Sequence, residues 1–249
     1  MILATRDLVE KWLVDYGIEN YTIRDNLVVD VTGNVKISEQ ELTKIPVRFG
    51  VVSGSFMCDG NKLTSLEGCP YEVGEYFICK ENVLVSLLGG PNKVGKSYSC
   101  GKNQLTSLEG SAVEVGGNFY CYNNKLTTLD FGPLIVGVDY SCRHNNLTSL
   151  IGCPIVINGA FNCHTNQLAS LEGGPISVGR HFGCGNNKLA SLKGLPANVG
   201  SFDCSVNGLF SDMDFDQAKL YDDNEKLCKV LVDTNNLVNS ALEMRGKKI

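Results

Sequence analysis

The chain has 249 residues, with 27 acidic against 22 basic side chains and a net charge of −5. That balance, spread without long runs, offers no basic stripe for nucleic acid and is too mild for a nucleic-acid mimic. No stretch is apolar over the length a membrane span needs, and the N-terminal MILATRDLVEKW carries charges where a signal peptide has its apolar region. A soluble, cytoplasmic protein is therefore expected.

In chain order, TRDLVEKWLVDY (residues 5–16) predicts a helix. Thr5 suits the N-cap, Asp7 the first turn and Gly17 the stop, while Leu8, Trp12, Leu13 and Tyr16 share one face to cover the first rung. YTIRDNLVVDV then reads as a hairpin turning near Asp25 and Asn26. Residues 31–42 form a degenerate first repeat, in which Val31, Val35, Ile37 and Gln40 stand in for the columns of the later copies. The capping unit therefore spans residues 1–41.

Residues 42–209 repeat at a step of 21, with leucines in register at Leu42, Leu63, Leu84, Leu105, Leu126, Leu147, Leu168 and Leu189 and Leu209 one residue early. An aromatic column runs from Phe56 to Phe202, a cysteine follows two residues later from Cys58 to Cys204, and an asparagine three residues after that from Asn61 to Asn207. The unit V-G-x-x-(F/Y)-x-C-x-x-N-x-L-x-x-L defines a repeat solenoid. Aromatic and cysteine at i and i+2 point inward from one short strand. The asparagine amide serves backbone groups that no ladder satisfies. Gly and, in most copies, Pro (Pro70, Pro91, Pro133, Pro154, Pro175, Pro196) turn the chain across an extended, polyproline-like back too short for a helix. One repeat cannot offset the entropy of ordering itself, so the array folds as one body with protected ends. Residues 210–249 return to helical spacing, with Leu220, Leu227, Val230, Leu231, Leu237, Val238, Ala241 and Leu242 on helix faces, and read as a C-terminal helical cap.

Eleven cysteines with no export signal, eight of them in one inward column, are expected to be structural thiols. A single-column ladder surrounds no point, so no metal site is expected from it.

The L-x-L-x-x-N-x-L half of the unit matches the leucine-rich repeat pattern with Phe and Cys in place of the first two leucines. The array resembles the short leucine-rich repeats of bacterial effector proteins, and the wording SLEGCP followed by VGG-x-F-x-C is most similar to a family of repeat proteins encoded by tailed bacteriophages. The resemblance covers about residues 20–210. It implies a leucine-rich-repeat solenoid with a parallel β-sheet on the concave face, an extended back and helical N- and C-terminal caps, and it implies no reaction. Effector relatives that act as ubiquitin ligases carry a long C-terminal domain with a nucleophilic cysteine. Only about forty residues follow the repeats here, which makes Cys228 a poor candidate for that role.

Inward columns hold such a fold together, so recognition belongs to the outward strand positions. Tyr120 and Tyr122 share one strand face with Arg143 and His144 one rung along and His164 a rung further, where Ser and Gly would suffice. Tyr and Arg dominate binding energy at protein interfaces. Tyr76 and Ile78, with Met57, form a second patch toward the N-terminus. His144, His164 and His181 fall in three different columns and make no converging metal set. No Ser, His and Asp set and no phosphate-cradling loop before a helix is present, so neither catalysis nor a cofactor is expected. Three readings remain: a protein-binding module, which the phage resemblance directs at a bacterial host protein in the host cytoplasm; a small-ligand binder for a nucleotide signal; or a structural, self-assembling component.

Overall fold

The computed structural model describes residues 2–207. The expectation of a C-terminal helical cap over residues 210–249, together with Leu209 and Cys228, lies outside the described residues.

Among the described residues one helix forms, Arg6–Asp15, with Thr5 extended at its N-cap and its side-chain oxygen accepting from the Leu8 amide. Gly17, at φ +62°, carries the chain out of it. Its inward face differs from the expected one by a residue: Val9 and Leu13 are buried, Trp12 and Tyr16 pack partly against the core, and Leu8 is exposed. On the same side of the helix the Trp12 indole meets Phe49 edge-on at 6.2 Å. The hairpin pairs Tyr21–Ile23 with Val28–Val31, and the Asn26 side chain accepts from the Val28 amide within its turn.

Beyond the hairpin the chain is a parallel-strand β-solenoid of about 8 turns with a repeat of about 21 residues. The aromatic strands stack in register from Val35–Lys36 through Phe56–Met57, Phe77–Ile78, Tyr98–Ser99, Phe119–Tyr120 and Tyr140–Ser141 to Phe161–Asn162, and the longer Ser177–Gly183 and Asn198–Asp203 continue the ladder. Their rings form one interior stack, with centroids 4.9–5.9 Å apart from Phe56 to Phe182. Offset and edge-on pairs at such distances add to area burial.

The repeat pattern predicts a parallel sheet on one face with an extended, polyproline-like back; a second parallel ladder is found there. Its strands are two residues long, Glu72–Val73, Lys93–Val94, Glu114–Val115 and Ile135–Val136, and they join the hairpin through Arg48–Val52 in a seven-stranded sheet. Between the two strands of a rung sits the glycine of the Val-Gly pair. The reason is stacking rather than a turn: a β-carbon on Gly74, Gly95, Gly116 or Gly137 would stand 2.0–2.2 Å from the carbonyl oxygen one rung back. The turn at Gly68 does need φ > 0 at +93°, and the Cys69 amide donates to the Leu66 carbonyl, the arrangement of a type II turn.

The asparagine column ties the rungs together. Asn145 donates from Nδ2 to the carbonyls of Cys142 (3.0 Å) and Cys121 (3.1 Å), one on its own rung and one on the rung before. Its Oδ1 accepts the Leu126 amide at 3.0 Å. The same pattern recurs at Asn82, Asn103, Asn124 and Asn166. At the worn first rung Gln40 substitutes, bonding the Ser38 carbonyl through its side chain.

All ten described cysteines are free thiols, and the column members Cys58 to Cys184 are fully buried. Burial pushes the Cys121 thiol up to about 12, so its nucleophilic thiolate is not formed at neutral pH.

Candidate functional site

The outward face of the aromatic ladder carries every candidate residue except His144, because each strand turns one side chain in and the next out. Phe119 is buried, so its neighbour Tyr120 faces outward; Cys121 is buried, so Tyr122 does too. Their rings lie 6.4 Å apart at 60°. One rung on, the Arg143 guanidinium stands 5.3 Å from the Tyr122 ring centre, a cation–π distance.

These three side chains border a cleft of about 380 Å³ whose lining also includes Asp139, Ser141, Ala160 and Asn162. Small residues at Ser141 and Ala160 make its floor. Its shape depends on glycines under neighbouring rings: a β-carbon on Gly101 would lie 2.8–2.9 Å from the Tyr122 ring atoms, so Tyr122 rests flat on the rung before. His164 leans the opposite way, over Gly183 and Gly185. Of these two leaning rings only Tyr122 borders the cleft.

Charge within the cleft is uneven. Asp139 accepts the Ala160 amide at 2.8 Å and meets the Arg180 guanidinium at 3.2 Å, so its carboxylate is compensated. Lys96 and Lys102 are likewise held by Glu75 (2.6 Å) and Glu81 (2.8 Å). Arg143 has no carboxylate partner among the described residues. Partial burial, with Asp139 and Tyr122 adding, pushes the Tyr120 phenol up and keeps it a proton donor.

The remaining candidates are not part of this cleft. His144 is exposed at the rung corner, in the left-handed region at φ +54°, and its amide donates to the His164 carbonyl. His164 places Nε2 3.5 Å from Asp203 Oδ2. His181 shares Nδ1 with the Ser201 hydroxyl at 3.0 Å. His164 and His181 thus meet above Gly183, nearer than three separate columns suggest. Among the described residues no group of three or more His, Cys, Asp or Glu is arranged to hold a metal ion. Tyr76 and Ile78 form a separate patch two rungs before Tyr120, with Lys96 Nζ 5.2 Å from the Tyr76 ring centre. In the sequence Asp139, Ser141, Ala160 and Asn162 are only ordinary members of the outward columns. The signal that could have singled them out is the pairing of large rings with glycine on the adjoining rung.

Fold and cleft together define a class, a parallel β-solenoid with an aromatic and cationic strand-face site. Compared with protein-family models, with curated proteins and with solved structures, the chain matches none. Among the described residues no helix is long and apolar enough to cross a membrane.

Proposed function

We propose that the protein is a non-catalytic protein-binding module of the leucine-rich-repeat kind, whose partner docks on the outward aromatic-strand face around Tyr120, Tyr122 and Arg143. The observation that carries this reading is the 380 Å³ cleft bordered by two tyrosines and an arginine on a face otherwise rich in Ser and Gly. Such a recess accepts an anchoring side chain, and Tyr and Arg are the residue types that concentrate interface energy. The resemblance to phage repeat proteins directs the proposal to a bacterial host protein in the host cytoplasm. The test is affinity capture from bacterial lysate with wild type and with Tyr120→Ala, Tyr122→Ala and Arg143→Ala. Loss of the same partner in all three variants supports the reading, and equal recovery counts against this face.

The cleft's size favours a second reading, a small ligand such as a nucleotide, since ligand pockets begin at about 300 Å³. Calorimetry against a nucleotide panel separates the two, and no heat across the panel retires the second.

A further inference from the structure

We infer that the group seated in the Tyr120–Tyr122–Arg143 cleft is a carboxylate side chain, so that the partner presents an acidic segment across the rungs. This rests on the reading of the face as a protein-binding surface and specifies its chemistry.

Three observations favour an anion. Arg143 is exposed at the edge of the cleft without a carboxylate among the described residues, while Lys96, Lys102 and Arg180 on the same face each have one. The acidic group in the lining, Asp139, is already engaged by Arg180 and by the Ala160 amide. Asn162 spends its Oδ1 on the His164 amide at 3.1 Å, which leaves its NH₂ as the group to offer, beside the hydroxyls of Tyr120, Tyr122 and Ser141.

The cleft is thus rich in donors around one cation. A partner's lysine would meet Arg143 as a like charge and an Asp139 already compensated. A glutamate or aspartate would instead gain a charge-assisted, two-point contact to the guanidinium fork. Tyr122 supports that geometry by holding the guanidinium against its ring. The ladder around the cleft favours a chain over a free small molecule: its outward positions continue rung after rung at about 4.8 Å, so flanking residues of a segment crossing the strands can rest on Tyr120 and Tyr122.

The experiment uses the full chain and an array of immobilised twelve-residue peptides of random sequence. Each peptide is made in three versions, with its acidic residues intact, with these changed to Gln or Asn, and with these changed to Lys. The expected result is retention of acidic versions at least tenfold better than their amide versions, with the preference falling as salt rises. Arg143→Gln, an exposed substitution whose folding is checked by circular dichroism, is expected to bind acidic and amide versions alike, and Arg143→Lys to regain part of the preference. Charge-blind retention by wild type that Tyr120→Ala removes overturns the acidic chemistry and leaves the protein-binding reading standing. Retention of no peptide, together with calorimetric binding of a nucleotide, overturns both.

Discussion

The hydroxyl of Tyr98 lies 3.1 Å from the point where a β-carbon on Gly90 would stand. The same fit recurs two copies further on, where the Tyr140 hydroxyl is 3.3 Å from the corresponding point on Gly132. At this turn position Phe77, Phe119 and Phe161 have Cys69, Ser111 and Cys153, and Phe182 has Gly174, so both tyrosines go with glycine and the larger side chains occur only with phenylalanine. The Tyr98 hydroxyl is buried without a hydrogen-bond partner among the described residues. Tyr98→Phe is therefore expected to leave the urea midpoint unchanged or raise it, since an unmet buried polar group costs about 1–3 kcal/mol. Gly90→Ala should lower stability by about 1–3 kcal/mol through overpacking. Combined, the two should cost less than their sum by at least about 0.5 kcal/mol, a coupling that a double-mutant cycle reads directly. Strict additivity contradicts the fit.

Asn145 spans two rungs, and Asn145→Ala strands the Leu126 amide and removes one of the two asparagine donors from each of the carbonyls of Cys121 and Cys142, which keep Asn124 and Asn166 respectively. A loss of about 2–3 kcal/mol is expected from urea unfolding, since one buried amide goes unmet and two further hydrogen bonds are lost. Asn145→Asp keeps the shape but removes the two donors, and should be no better than Ala. A loss below about 1 kcal/mol would mean that the stack closes without the amide.

Phe131 occupies the turn position that is Gly68, Gly89, Gly110, Gly152, Gly173 and Gly194 in the sister rungs, at φ +65° and exposed. The left-handed region costs a side-chain-bearing residue about 1–2 kcal/mol. Phe131→Gly is expected to raise the thermal midpoint, the gain being reduced by glycine's greater unfolded freedom. A fall in midpoint would show that the exposed ring contributes packing that offsets the strain.

The inward lattice was legible because identical contacts impose identical residues: Phe77, Cys79, Asn82 and Leu84 recur since each meets its own counterpart one rung away. The second ladder was not legible. A strand of two residues such as Glu72–Val73 has too few positions to show alternation, and Gly74 beside it reads as a turn until its stacking on the Ser53 carbonyl is seen. The outward columns placed Tyr120, Tyr122 and Arg143 correctly on one face. Column membership says nothing of rotamers, however: Tyr122 leans toward Gly101 and borders the cleft, while His164, in the same column, leans toward Gly185 and stands outside its lining.

The pair Arg24 and Asp30 sets a pH dependence at the hairpin. Asp30 takes two contacts from the Arg24 guanidinium, at 2.6 and 2.7 Å, and a third from the Val51 amide at 2.8 Å. The Arg24 bonds first, and the Val51 amide after them, hold its carboxyl below the ordinary 3.8. A carboxyl whose pKa is lower folded than unfolded stabilises the fold above the unfolded value, and the effect fades as pH falls through the folded one. Wild type and Asp30→Asn, which removes the charge, should therefore differ most in urea midpoint near neutral pH and converge below pH about 4. A constant gap down to pH about 2 would assign the effect to shape rather than charge.

Gly101 tests the cleft without replacing any side chain that borders it. A methyl there forces the Tyr122 ring, now within 2.8 Å of that point, off its bed and into the space beside Arg143. The ring is the free end of a half-exposed side chain, so Gly101→Ala should cost under about 1 kcal/mol of stability while reducing retention of acidic peptides several-fold. Gly185→Ala is the matched control. Its methyl would lie 2.7 Å from His164 Nδ1 and displace a ring outside the cleft lining, so peptide retention should hold. Equal losses in the two variants would mean that the face responds to general disturbance, and unchanged binding in Gly101→Ala would remove Tyr122 from the recognition surface.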